Sequence, residues 1–251
     1  MDGSAERAER SYAGLTAGGG IAALVVGACA IAGGSWRFAA VLFAFFIPSI
    51  LISRIGKRRK AQLTDIGKSG ARDTWQVLAN GGVSAFCALI VLVTHNAAAS
   101  AAFAGAFAAA CADTFGTEIG TLMRGRPHSI LTFKPIPTGL SGGVTLAGTV
   151  AEIAGAVLVA LVAAAAGVAL WWVVAAAGMA GALVDSIAGA CVQELRYCDT
   201  CARACEVDPH TCGTPTRRIR GTSFMNNDAV NAACTLTGAA VAAALMLFFR
   251  S

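Results

Sequence analysis

Long apolar runs broken by short polar punctuation dominate the chain. A membrane span needs about 20 consecutive apolar residues. Seven runs come close to that length, at roughly 13–33, 36–53, 75–94, 97–116, 143–166, 169–190 and 228–249. The third and fourth are separated by His95-Asn96 alone, and the fifth and sixth by the region around Gly167. The pattern predicts an all-α membrane protein, a polytopic bundle of about seven transmembrane helices forming one integral-membrane domain over 1–251. Three longer polar stretches, about 54–74, 117–142 and a Cys-rich 191–227, are the loops.

Composition agrees. Of the 251 residues 56% are hydrophobic and only 13% charged, about half the charge of an ordinary soluble domain. Abundant Ala and Gly suit helices that approach closely without water to drive them together. The N-terminus shows no cleaved-signal pattern. Seventeen of the nineteen Lys and Arg residues fall on one side when seven spans alternate, leaving only Arg37 and Arg250 on the other. Cytoplasmic loops carry the excess of Lys and Arg. The expected N-terminus is therefore cytoplasmic, the C-terminus outside, and all three loops cytoplasmic. Because the net charge of +5 sits in membrane loops, it signals no nucleic-acid binding; the Lys57–Lys60 run also attracts anionic lipid.

Acidic residues in such sequence carry the chemistry. A carboxylate at membrane depth is expensive unless it faces a partner, a cavity or an ion. Asp113 and Asp185 end spans of the same direction, and Asp228 opens the last span, so all three belong to the cytoplasmic end. Asp113 and Thr117 share a helix face. Glu118 joins them only if the helix opens near Gly116. Hard oxygen donors of this kind suit Mg²⁺ held by one or two carboxylates plus substrate phosphates, although an Asp or Glu paired with a loop Arg would read the same way. Lys134-Pro-Ile-Pro-Thr-Gly139-Leu-Ser141-Gly142-Gly143 opens the fifth span. Backbone N–H groups and glycines there could admit a phosphate, or simply cap a helix. Arg72, Gln76 and Asn80 repeat every four residues into the third span. Asn227 and Asn231 share a face beside Asp228, while one residue of the Asn226-Asn227-Asp228 cluster is expected to cap the helix.

The cysteines divide into two groups. Cys29, Cys87, Cys111, Cys191 and Cys234 lie in or at the ends of spans and behave as small apolar residues. Cys198-x2-Cys201-x3-Cys205-x6-Cys212, with His210, lies in a loop where thiols stay reduced. Five candidates compete for the four places of a structural Zn²⁺ site; the other reading is a metal-free reduced loop.

Arg72-Asp73 with Gln76 to Gly81, Ala112-Asp113-Thr114 with Glu118-Ile119-Gly120, Thr138-Gly139 with Gly142-Gly143-Val144, Asp185-Ser186 with Gly189-Ala190, and Asn226 to Asn231 run in this order over about 54–231. In these segments the chain resembles the integral-membrane family that includes the plant phytyl-phosphate kinase and uncharacterised bacterial and archaeal relatives. It departs at Ser141 and Gly116, both small changes. The resemblance implies an NTP-dependent kinase (CTP or ATP) that phosphorylates a prenyl, phytyl-like monophosphate to the diphosphate. On that reading Asp113, Glu118, Asp185 and Asp228 are catalytic, and Asp113, Asp185 and Asp228 hold Mg²⁺. Arg72, Asp73, Asn80, Lys134, Gly139, Ser141, Gly142, Gly143, Asn227 and Asn231 hold nucleotide and lipid phosphates. The site faces the cytoplasm from a bacterial inner or plasma membrane, with membrane lipid around it and room for a homo-oligomer. A CTP-dependent cytidylyltransferase or polyprenol kinase, and a transporter or lipid-binding protein, are the alternatives.

Overall fold

The computed structural model describes residues 14–55, 71–123 and 125–249. Arg7, Arg10, Lys57, Arg58, Arg59, Lys60, Lys68, Arg124 and Arg250, which entered the charge count, lie outside the described residues. Among the described residues, six helices are long and apolar enough to cross a membrane: α1 Ala17–Arg54, α2 Thr74–Thr94, α3 Ala97–Leu122, α4 Leu146–Ala165, α5 Trp171–Cys191 and α6 Asn227–Phe248. Two small sheets, again among the described residues, lie between them. One pairs β1 (His128–Ser129) with β2 (Gly143–Val144); the other has the order β4-β3-β5, from β3 (Leu195–Cys198), β4 (Arg203–Cys205) and β5 (Arg217–Arg220).

The 38 residues of α1 would stretch about 57 Å as one straight helix, nearly twice the roughly 30 Å hydrocarbon core. The chain instead breaks at Ser35, whose φ of 55° and ψ of −143° are not helical. Contacts give the direction of each half. Gly18 meets Thr74 and Gly33 meets Ala88, so 17–34 runs parallel to α2. Phe38 stacks on Phe103 and Phe45 on Phe107, so 36–54 runs parallel to α3. α2 and α3 are antiparallel across the His95-Asn96 turn, where Asn96 caps α3. α1 is thus a helical hairpin, and its two halves are the first two of the seven apolar runs.

The reversal sets the polarity of the bundle. Thr16, Ser53 and Arg72 meet at one end: Thr16 N–H donates to the Arg72 carbonyl and Arg72 Nη2 to Ser53 Oγ. From that same end emerge both sheets and the long connections between α3 and α4 and between α5 and α6. The opposite end holds Ser35, the His95-Asn96 turn and Gly167, and there Trp172 packs on Phe249.

α3 is the axis around which the others pack. Its apolar window is 72% buried, against 22–44% for the other five helices. Alanines and glycines let backbones touch it: Gly105 faces the Gly238 carbonyl of α6, Gly155 of α4 faces the Cys111 carbonyl, and Gly178 of α5 faces Ala108. Ser84 Oγ donates to the Phe103 carbonyl and Thr235 Oγ1 to the Ala79 carbonyl, tying α2 to α3 and α6. A Cβ at Gly238 would come within 2.5 Å of the Gly105 oxygen, whereas at Gly20 it would meet open space. Gly238→Ala should therefore cost about 1–3 kcal/mol of stability through overpacking. Gly20→Ala should be neutral or stabilising, since Ala outranks Gly as a helix former by up to about 1 kcal/mol. Thermal unfolding of the two variants in detergent separates them.

Candidate functional site

A polar cavity of about 300 Å³ opens at the loop-bearing end, lined by residues from α2, α3, α4, α5 and α6. α3 brings Asp113 to it. Thr117 Oγ1, one turn on, lies 3.5 Å from Asp113 Oδ1, the i, i+4 relation expected from their spacing. α5 brings Asp185, whose carboxyl lies within hydrogen-bonding reach of Asp113. Asp185 Oδ2 is buried and has no hydrogen-bond partner. α4 adds Glu152, which reaches the cavity across Gly116; a Cβ there would press on the Glu152 side chain. The three carboxylates are close enough to interact electrostatically.

Arg72 supplies positive charge facing Asp113. Burial holds its guanidinium below the ordinary arginine range, and the Asp113 charge pulls the other way. Gln76 and Asn80 continue its stripe along α2 into the cavity, where Asn80 Nδ2 donates to the Gln76 carbonyl. Asn227 and Asn231, one turn apart on α6, line the facing wall.

The glycine turn forms the floor. Gly139, Ser141, Gly142 and Gly143 all line the cavity. Gly139 and Gly142 have φ of 93° and 80°, which side chains resist. Gly142 also packs against the Ala190 backbone, where any Cβ would clash. The turn's Ser141 N–H donates to Glu206 Oε1 at 2.9 Å, and Gln193 Nε2 donates to Glu206 Oε2. Burial pushes the Glu206 carboxyl above the usual carboxylate range, while Ser141 and the Arg220 charge pull it down.

Several residues named from sequence stand elsewhere. α3 does not open near Gly116 but continues to Leu122. Glu118 therefore turns away from Asp113 and accepts from Ser53 Oγ at 3.0 Å, although it still borders the cavity. Asp73 is the N-cap of α2, in a capping box with Gln76. Lys134 is exposed in the loop between β1 and β2 and is not among the lining residues. Asp228 also lies outside the lining. Asn226 caps α6 by accepting from Ala229 N–H. Asp228 stands three residues before Asn231, on an adjoining strip of the helix; its Oδ1 is buried, yet it is not among the lining residues. The acid that accompanies Asp113 and Asp185 is Glu152. Sequence reasoning missed it, as it missed Glu206.

In the Cys-rich loop, Cys198, Cys201, His210 and Cys212 bring their ligand atoms within 4.8 Å of one another. Cys205 stands apart and donates to the Val207 carbonyl. Cys87, Cys111 and Cys234 are buried inside the bundle, Cys29 is half-buried and Cys191 exposed.

The model of the family described as integral membrane protein DUF92 matches residues 8–239. The chain belongs to this family. The chain is 29% identical over 249 residues to Protein PGR of Arabidopsis thaliana, covering 86% of this chain and 84% of that one. It is 33% identical over 162 residues to an uncharacterized membrane protein of Methanocaldococcus jannaschii, covering 62% of this chain and 65% of the other. An uncharacterized membrane protein of a Synechocystis strain is 27% identical over 143 residues, 55% of each chain. No solved structure matches the chain.

Proposed function

We propose that this protein is an NTP-dependent phosphotransferase that converts a prenyl monophosphate to the diphosphate at the cytoplasmic membrane face. The observation that carries the reading is the cavity itself: Asp113, Asp185 and Glu152 from three helices converge over a glycine turn, with Arg72 opposite. Phosphoryl transfer needs positioning and charge neutralisation more than a protein nucleophile. A polyphosphate would be repelled by the carboxylates lining the cavity unless divalent cations stood between. The donor set suits that role, being hard oxygens, and Asp185 Oδ2 is a buried acceptor with no hydrogen-bond partner. A divalent cation such as Mg²⁺ would supply there the positive charge that phosphoryl transfer needs. Asp113 and Asp185, with Glu152 beside them, would hold it. Arg72 would meet a phosphate from the α2 side, and Asn227 and Asn231 would orient it from α6. The glycines of the 139–143 turn would let a second phosphate approach the backbone closely.

The one-sided position of the cavity favours an enzyme over a transporter. Behind it the bundle is closed by Phe103, Phe107, Val159 and Ala163, all within 1% of complete burial. Basic residues flank the loop-bearing end, in Arg196, Arg203, Arg217, Arg218 and Arg220, which supports a cytoplasmic location. A prenyl tail would leave the cavity between spans into lipid. The direct test incubates purified protein with a panel of prenyl alcohols and prenyl phosphates, with ATP or CTP and Mg²⁺, and reads the lipids by mass spectrometry. The reading expects one added phosphate on a prenyl monophosphate. No nucleotide-dependent product across the panel would refute it, and a CMP adduct would move the protein to the cytidylyltransferases.

A further inference from the structure

The segment between α5 and α6 folds into an ordered unit whose purpose is not evident from its sequence. β3 pairs with both β4 and β5. Arg196 knits the following loop to the sheet, donating to Glu194 Oε1, Asp208 Oδ2 and Thr216 Oγ1 at 2.6–2.7 Å. Thr216 N–H in turn donates to Asp208 Oδ1. This network presses the 206–216 loop against the β3–β4 turn and brings two short motifs together. Cys198 ends β3 and Cys201 lies in the turn. His210 and Cys212 lie in the opposing loop, which is folded back by the Gly213 N–H to His210 carbonyl and His210 N–H to Thr214 carbonyl bonds.

We propose that Cys198, Cys201, His210 and Cys212 form a tetrahedral Zn²⁺ site, and that Cys205 is not a ligand. In a tetrahedral site with Zn–S of 2.3 Å and Zn–N of about 2.0 Å, neighbouring ligand atoms stand about 3.5–3.8 Å apart. Cys198 Sγ and Cys212 Sγ are 3.6 Å apart, and His210 Nδ1 and Cys212 Sγ 3.1 Å. All four ligand atoms fall within 4.8 Å of each other, so small rotamer adjustments suffice. Every cysteine is a free thiol, and the Cys198–Cys212 separation is far beyond the roughly 2.05 Å of a disulfide. His210 is 4% exposed and Cys198 fully buried, so half of the donor set lies inside the unit. Three thiolates and one imidazole select Zn²⁺ over the hard cations. Four protein ligands leave no open position, which makes the site structural rather than catalytic.

The site has a second consequence. Cys205 is followed directly by Glu206, whose carboxylate reaches Ser141 in the glycine turn. Arg220, at the end of β5, donates to the Gly189 carbonyl of α5 at 2.8 Å. The unit is therefore clipped to the cavity floor at one side and to α5 at the other. Metal binding at its far edge would fix the loop that carries Glu206. This inference stands whether or not the cavity transfers phosphate.

The test is elemental analysis of the full chain purified in detergent without chelator. The proposal expects about one zinc per chain, retained in Cys205→Ser and lost in Cys201→Ser. Should Cys201→Ser fail to accumulate, Co²⁺ exchange into the wild type gives a second readout. Visible d–d bands of a tetrahedral thiolate-rich site, displaced by added Zn²⁺, are expected. Chelation should also speed tryptic cleavage at the exposed Arg217 and Arg218. Wild-type protein that contains no zinc and takes up neither Zn²⁺ nor Co²⁺ overturns the proposal. So does equal loss of metal from Cys205→Ser and Cys201→Ser, or a Cys198–Cys212 disulfide in protein isolated with thiols trapped.

Discussion

Asp113→Asn should abolish prenyl diphosphate formation while the protein still inserts and folds. The substitution keeps the size of the side chain and its hydrogen bond with Thr117, but removes the charge a divalent cation needs. Loss of a metal-ligand carboxylate should raise the barrier by several kcal/mol, a rate loss on the order of a thousandfold or more. Asp113 sits against Asp185 and opposite Arg72, so no neighbouring acid can replace it without leaving its own place. Initial rates with saturating nucleotide and Mg²⁺ measure the effect, with size-exclusion behaviour as the folding control. Activity within tenfold of the wild type would remove Asp113 from the metal site.

The second large effect is expected at Glu152 and not at Asp228. Glu152→Gln should lower the rate on the order of a hundredfold or more, because its carboxylate completes the acidic wall of the cavity. Asp228→Asn should change the rate only a few-fold. Asp228 occupies the first turn of α6 without lining the cavity, where an acid interacts with the helix dipole by about 0.3–1 kcal/mol. Measuring both variants under one set of conditions compares a residue placed by geometry with one placed by sequence. A severe Asp228→Asn defect beside a mild Glu152→Gln defect would reverse the assignment.

Much of the architecture is legible in the chain because bilayer thickness fixes helix length. His95-Asn96 and Gly167 punctuate the apolar pattern where the helices turn. The Ser35 reversal was also readable, since a 38-residue, largely apolar stretch is too long for one crossing. Side-chain direction was harder. Asp113 with Thr117, and Asn227 with Asn231, followed from helical spacing. Glu118 did not, because the outcome depended on whether α3 broke at Gly116, and tertiary packing kept it straight. Glu152 was within reach of the reasoning that selected Asp113 and Asp185: it is the sole charged residue of the fifth apolar run. It was missed because it stands alone, without a neighbouring polar motif. The β3–β5 unit left no periodic signal, its strands being three or four residues long. Which four of five metal-ligand candidates converge depends on the Arg196 network, whose partners are up to twenty residues away.

The fate of a radiolabel decides whether the cavity transfers a terminal phosphoryl group. Purified protein is incubated with Mg²⁺ and a prenyl monophosphate, once with γ-labelled and once with α-labelled nucleotide, and the lipid fraction is counted. Label is expected in the lipid from the γ position only, and is expected to be absent in Asp113→Asn. Label from the α position, or γ-label transfer that survives in Asp113→Asn, would contradict the proposed transfer.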